Sequence, residues 1–419
     1  MKFCGGSRAP RWVAGPVACG AVALSFLSAP AGARPVPTLA PEVRALWVTP
    51  ASLTSPAAVS AMVRSARAGH FNTLLVQVRG RGDSYFSDGF EPRAAALSGQ
   101  PDTFDPLALT LRLAHAEGIR VHAWINLALV WSADEPPASR SHLVRRHPEW
   151  LMVPRALARD MALLDARSQL YLDKLMRWTR TQTGEVEGLY ASPIPLGSAD
   201  ATVSVVADLV ARYPVDGVHL DYIWYPSDEF DFSREALEAF RAEILSGLDT
   251  TERRRLERTM GADLVAWTEA WPARWRAYRR ERLTALLTRI RDSVKARRPS
   301  AICSAAVAPD AVEAGNRWLQ DWGIWLQRQL IDVVCPMAYT SDAAAFSAQV
   351  ARVRQVAGSR PVWAGIGAHR LSSSQTIENI QIARRLGASG VVLFSYESLV
   401  SLPRGPGYLT QVAQAAFAQ

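Results

Sequence analysis

The chain is poor in cysteine and histidine, with four of the first and seven of the second in 419 residues. Cys4 and Cys19 lie in the first 33 residues, which leaves Cys303 and Cys335 for the body of the protein. Two cysteines at that spacing make neither a zinc motif nor a disulfide scaffold. Both fall in apolar, strand-like runs and are expected to be buried thiols, with a disulfide between neighbouring strands left open. Also missing are a Gly-rich phosphate loop and a Gly-x-Ser-x-Gly nucleophile elbow. Beyond residue 33 no apolar run reaches the ~20 residues that a membrane span needs. No basic run is interleaved with aromatics as in a nucleic-acid-binding module. These absences set aside nucleotide-dependent enzymes, serine hydrolases, integral membrane proteins and nucleic-acid binders, and no cofactor is expected.

What is present is an ordinary globular composition, 49% hydrophobic and 21% charged. The first residues differ from the rest. Lys2, Arg8 and Arg11 precede an apolar run from Trp12 to Leu27, and Ala31-Gly32-Ala33 follows as a small-x-small pattern. Residues 1–33 therefore read as a secretory signal peptide, and the protein as secreted or periplasmic; an uncleaved anchor is the competing reading. Residues 34–41 hold three prolines and read as a linker. Removing residues 1–33 takes the formal net charge from +8 to +5. Much of the excess is arginine on long helical stretches such as Glu252 to Arg258 and Arg274 to Arg282, hence solvated helix faces. Attraction to an anionic envelope polymer is the second reading.

From residue 42 to 419 short apolar runs alternate with longer amphipathic ones, the pattern of repeated βα units. Eight strands are predicted: Val43–Thr49, Thr73–Arg79, Arg120–Asn126, Gly217–Tyr222, Ala301–Ala308, Asp332–Ala338, Pro361–Ile366 and Gly390–Ser395. Near-continuous apolar strands after helices argue for a parallel sheet covered on both faces. Eight such units imply an α/β fold, a (β/α)₈ TIM barrel. Two insertions follow the third and fourth strands, Leu127 to Asp200 and Pro226 to Pro299. Trp267, Trp271, Trp275 and Tyr278 in the second are expected to be packing residues.

Barrel active sites form at the C-terminal ends of the strands. Those ends carry Trp47, Gln77, Arg79, Trp124, Asn126, His219, Asp221, Tyr222, Met337 and Tyr339, with Tyr225 just beyond. Aromatic faces stack on pyranose rings, while amides, carboxylates and Arg bond their hydroxyls. Glycoside hydrolysis needs a carboxylic acid to protonate the leaving oxygen, and a second group to attack, activate water or stabilise charge. Asp221, at the end of an apolar strand between aromatics, is the expected acid, because burial raises a carboxyl pKa. Asp310, Glu397 and Asp83 are the candidate partners. Asp216 begins the same strand and reads as a turn residue. His219 shares the face of Asp221, either bonding it or filling the barrel. A metal site built on His122, His219 and Asp221 is a minor alternative.

Several runs resemble the glycosyl-hydrolase-like family 10, also called the domain-of-unknown-function 187 group. They are Glu42-Val43-Arg44-Ala45-Leu46-Trp47-Val48, Gln77-Val78-Arg79-Gly80-Arg81-Gly82-Asp83, His147-Pro148-Glu149-Trp150, Tyr213-Pro214-Val215-Asp216-Gly217-Val218-His219-Leu220-Asp221-Tyr222 and Cys335-Pro336-Met337-Ala338-Tyr339. The resemblance implies a bacterial envelope protein with a (β/α)₈ barrel. It also implies a glycan-strand partner, with peptidoglycan strands free of stem peptides as the expected substrate, and adds Arg44 to the sugar-contacting set. The fourth-strand run is also similar to the signature of family 18 chitinases, but Ile223 stands where those enzymes keep their acidic Glu. The expectation is an exported glycosidase acting on an N-acetylhexosamine polymer. The alternative is a glycan-binding envelope protein with weak catalysis, and a second carboxyl flanking the cleft of Asp221 separates the two.

Overall fold

The computed structural model describes residues 41–182, 184–401 and 407–418. The expected signal peptide, and all of the expected linker but Pro41, lie outside the described residues. The strands are β1 (Val43–Val48), β2 (Thr73–Arg79), β3 (Arg120–Asn126), β4 (Leu129–Trp131), β5 (Leu189–Tyr190), β6 (Gly217–Asp221), β7 (Ile302–Val307), β8 (Val333–Ala338), β9 (Trp363–Ile366) and β10 (Gly390–Leu393). All except β4 and β5 close into one barrel in the order β1-β10-β9-β8-β7-β6-β3-β2, every pair parallel. The eight predicted strands are these eight. Strands β4 and β5, inside the first insertion, form a small antiparallel pair above it.

Side chains alternate between two apolar environments. Leu46 and Val48 of β1, Val121, Ala123 and Ile125 of β3, and Val218 and Leu220 of β6 pack outward under the helices. Ala45, Trp47, Leu75, Trp124, Val333, Cys335, Trp363 and Val392 pack inward. A parallel strand buried on both faces reads as a continuous apolar run for this reason. Cys303 belongs to the outer set and Cys335 to the inner one, so the two thiols point to opposite faces and stay free.

The helices begin where the sequence supplies caps. Ser55, Asp105, Ser233, Asp342 and Ser372 each accept a backbone N–H from the first turn of the helix that follows. In the second insertion Phe240, Trp267, Trp275 and Tyr278 form a separate apolar cluster, so most of the aromatic stripe is helix packing. Among the described residues no helix is long and apolar enough to cross a membrane.

The barrel interior is tight at its base. A Cβ built on Gly217 would lie 2.5 Å from Nδ1 of His122 and 2.6 Å from the carbonyl oxygen of Ile302. Because one of those neighbours is backbone, relief requires strand β7 to move. Gly217→Ala is therefore expected to destabilise the fold by about 2 kcal/mol. The check is a lower urea midpoint with an unchanged slope; a midpoint equal to that of the parent chain would show that the base of the barrel is not close-packed.

Candidate active site

Inward alternation stacks polar residues in layers up the barrel axis. At the base, His122 is fully buried against Trp363, with ring centroids 5.4 Å apart. Burial pushes its pKa down to about 4. One layer higher, His219 accepts from the indole N–H of Trp47 on Nε2 at 2.9 Å and lies 3.0 Å from Ser304 Oγ through Nδ1. That pattern assigns the proton to Nδ1, which donates to Ser304. Burial, and then the nearby His122, push the His219 pKa down to about 3, so the ring is neutral. With both nitrogens engaged inside the barrel, His219 orients Trp47; it neither bonds Asp221 nor remains free for a metal. Among the described residues no group of three or more His, Cys, Asp or Glu is placed to hold a metal ion.

The top layer opens into a cavity of about 490 Å³, a size typical of small-ligand sites. Trp47, Gln77, Trp124, Asn126, Asp221, Tyr222, Met337 and Tyr339 all line it. Asn126 is the hub: its Oδ1 accepts from Gln77 Nε2 at 3.0 Å and from Trp124 Nε1 at 2.9 Å, while its Nδ2 donates to the Gly80 carbonyl at 3.0 Å. These bonds hold three strand-end side chains in one orientation. The aromatic lining is edge-packed. Trp47 meets Tyr339 and Phe394 at 6.2 and 6.0 Å, and Tyr339 stacks on Phe394 at 5.5 Å.

Asp221 is the ionisable group at the centre of this layer. The Asn126↔Asp221 register brings it level with the amide hub. Burial raises its carboxyl pKa to about 7; the Tyr222 N–H bond at 2.7 Å, the Trp124 indole and the Arg81 charge pull it down, and Glu187 pushes it up. Strict alternation would send Tyr222 to the opposite face. Instead Tyr222 adopts a left-handed backbone at φ 49°, and both residues face the cavity. A non-glycine residue there costs roughly 1–2 kcal/mol, a form of strain that concentrates at functional sites.

Glu187, absent from the expected set, supplies the second carboxylate of the cavity. It comes from the turn before β5, and the Tyr222 hydroxyl donates to its Oε2. The β4–β5 pair approaches so closely at Gly188 that a Cβ there would lie 1.9 Å from the Trp131 carbonyl oxygen. Glycine at that position lets the turn carry Glu187 over the barrel mouth. Trp224, stacked on Tyr222 at 4.9 Å, and Arg81 complete the wall. The acidic residue, the Glu-Gly turn and the aromatics after Asp221 are visible in the sequence; the fold over the mouth that unites them is not.

Seven expected residues lie elsewhere. His219 has been described. Arg44 sits near the start of β1 on the outward face, donating to the Phe417 carbonyl at 3.2 Å, at the opposite end from the cavity. The register between β2 and β3 slips after Gln77. Arg79 is buried in a two-nitrogen ion pair with Glu91, each bond 2.6 Å, and also donates to the carbonyls of Asn126 and Leu127. Tyr225 is fully buried in the main apolar core, its hydroxyl donating to the Arg279 carbonyl at 3.2 Å. Asp310 caps the helix after β7 and pairs with Arg352 at 3.2 Å in solvent, and its helix-cap bonds hold its pKa below the usual value. Glu397 accepts from Thr49 N–H at 2.9 Å and Ser52 Oγ at 2.6 Å, tying down the turn after β1. Asp83 accepts the Arg81 N–H at 2.9 Å and shapes the loop that presents Arg81. Asp216 accepts the Val121 N–H at 2.8 Å and pairs with His115, a role at the base of the barrel.

An eight-stranded parallel barrel with two carboxyls and an aromatic lining at its mouth is an arrangement that glycoside hydrolases also use. Residues 42–367 match the glycosyl hydrolase-like 10 family, and the chain belongs to it. It is 22% identical over 371 residues to the glycosyl hydrolase YngK of Bacillus subtilis, covering 80% of this chain and 62% of that protein. It is 25% identical over 226 residues to the glycosyl hydrolase DigH of Escherichia coli, covering 48% of this chain and 47% of that one. The matches thus span less than two thirds of these relatives' length. Among solved structures, the glycoside hydrolase domain of PgaB (BpsB) from Bordetella bronchiseptica superposes with a TM-score of 0.61 at 14% identity, covering 89% of this chain and 99% of that domain. That likeness is one of fold.

The raised pKa of Asp221 has a consequence for stability. A carboxyl whose pKa is higher in the folded state than in the unfolded chain favours folding while protonated. That contribution is full below pH ~4 and is lost as pH rises through about 7. Asp221→Asn removes the loss. At pH 8 the variant should be more stable than the parent by on the order of 2 kcal/mol, and at pH 4 by far less. Urea unfolding at the two pH values measures this; an equal effect at both would mean that the carboxyl is not desolvated.

Proposed function

We propose that the protein is an exported glycosidase that cleaves an N-acetylhexosamine-containing cell-wall polysaccharide, with peptide-free peptidoglycan strands as the substrate. The observation that carries this reading is the pair of carboxyls, Asp221 and Glu187, on one aromatic-lined cavity. Export rests on the basic start, apolar run and small-x-small pattern of residues 1–33.

In this reading the two acids have different tasks because their surroundings differ. Asp221, buried and with a pKa raised to about 7, holds a proton near neutral pH and gives it to the glycosidic oxygen. Glu187 faces the positive charge that develops at the anomeric carbon, and the Tyr222 hydroxyl keeps its carboxylate aimed. Trp47, Trp124, Tyr339 and Phe394 take the apolar face of the sugar ring, and Gln77 and Asn126 bond its hydroxyls. Ile223, at the position of the chitinase acid, is fully buried in the outer core, so the second carboxylate comes from the insertion instead.

Incubation with purified peptide-free glycan strands tests the reading. The parent should release fragments, with kcat/KM falling above pH about 7 as Asp221 loses its proton. Asp221→Asn should lower the rate roughly 10³-fold and Glu187→Gln roughly 10²-fold. The Glu187 variant should also move the alkaline limb to lower pH, because its charge helps to hold the Asp221 proton. No release by the parent would leave a glycan-binding protein in place of an enzyme, and equal release by Asp221→Asn would mean that Asp221 is not the acid.

A further inference from the structure

A second cavity of about 280 Å³ lies beside the first and takes no part in the chemistry above. Its floor is the buried Arg79–Glu91 ion pair, in which the two charges cancel. One wall is Trp150, stacked on His147 with ring centroids 3.8 Å apart and planes at 6°. At the rim stand Phe90, an aromatic 66% exposed to solvent, and Arg146. The nearby Glu149 carboxylate is engaged by His147 at 3.0 Å and Arg167 at 3.6 Å. The Arg146 guanidinium has no hydrogen bond or ion pair among the described residues. The rim thus carries an uncompensated, fork-shaped donor of the kind that binds carboxylates in two-pronged fashion.

The two cavities are neighbours. Arg81 lines the first, and its carbonyl accepts from His142 Nε2 at 2.7 Å. Ser141 and Leu143, on either side of His142, line the second. Arg79 beneath the second donates to the carbonyl of Asn126, whose side chain lines the first. The two cavities thus share one set of loops. An exposed aromatic beside a stacked ring pair suits the apolar faces of pyranoses, and the unpaired cation selects for an acidic one.

We propose that this second cavity is a glycan subsite, and that Arg146 there reads the carboxylate of an acidic sugar on the same strand that is cut in the first cavity. The proposal rests on the glycosidase reading for its substrate, but its test is one of binding. The probe is peptide-free peptidoglycan strands, with the same strands after reduction of their carboxyls to alcohols, titrated calorimetrically into the full chain carrying Asp221→Asn to suppress turnover. The acidic strands should bind about ten-fold tighter than the reduced ones. Adding Arg146→Gln should bring the two affinities together, Arg146→Lys should keep part of the preference, and Phe90→Ala should weaken both probes alike. Equal binding of the two probes, or a preference that survives Arg146→Gln, overturns the subsite. So does a preference of the same size for a disaccharide too short to leave the first cavity. If the parent releases no fragments while the Arg146-dependent preference persists, the catalytic reading fails and the subsite stands.

Discussion

Closing eight parallel strands into a barrel forces every second side chain inward, away from water, and the inward residues of this chain change in character from base to mouth. At the base they are a fully buried histidine against Trp363 and a glycine with no room for a methyl group. In the middle they are a neutral histidine locked between Trp47 and Ser304. At the mouth they are Asn126, Gln77 and Asp221. The low-dielectric interior makes every ionised group costly unless it is paired. His219 and His122 respond by staying neutral. Asp221 responds by keeping its proton to about pH 7, the property a general acid requires.

The two carboxylates reach one cavity by unrelated routes. Asp221 is placed by strand register, level with Asn126, in a layer that cannot shift without turning every side chain on the strand. Glu187 is placed by the small β4–β5 pair inside an insertion, through a glycine that allows two backbones to touch. Tyr222 joins the two, its left-handed backbone bringing it to the acid's own face and its hydroxyl reaching Glu187. One acid is therefore part of the rigid frame and the other belongs to the decoration of the fold, where barrel enzymes vary their chemistry.

Ionisable side chains elsewhere in the molecule serve position. Arg79, the last residue of β2, is neutralised by Glu91 and spends its remaining donors on backbone carbonyls at the end of β3. Glu397 and Asp83 likewise each accept a backbone N–H of a loop at the mouth through one carboxyl oxygen. Each lies at the right end of the barrel, and each proves to be a strut because its partner lies within bonding distance. Asp221 differs in that its hydrogen-bond partners are the Tyr222 N–H and the Trp124 indole, and among the described residues no cation pairs with it.

The barrel was legible because its rule is local: apolar runs of strand length, each after a capped amphipathic helix, recur eight times, and period-two alternation assigns an inward face to each. The same rule identified Trp47, Gln77, Trp124, Asn126 and Asp221 as residues of the mouth, and set Asp216 at the opposite end. It could not find Glu187, because no periodicity governs a turn inside an insertion of some seventy residues, and the closeness of that turn to Asp221 is a fact of folding. Nor could it separate Asp221 from Asp83, Asp310 and Glu397. All four are acids after a strand, and the difference between them is burial and the distance to a partner. Residue types and their spacing were determined by the sequence alone; which carboxyl lies buried at the barrel mouth without an ion-pair partner, and which one faces it, was decided when the chain closed.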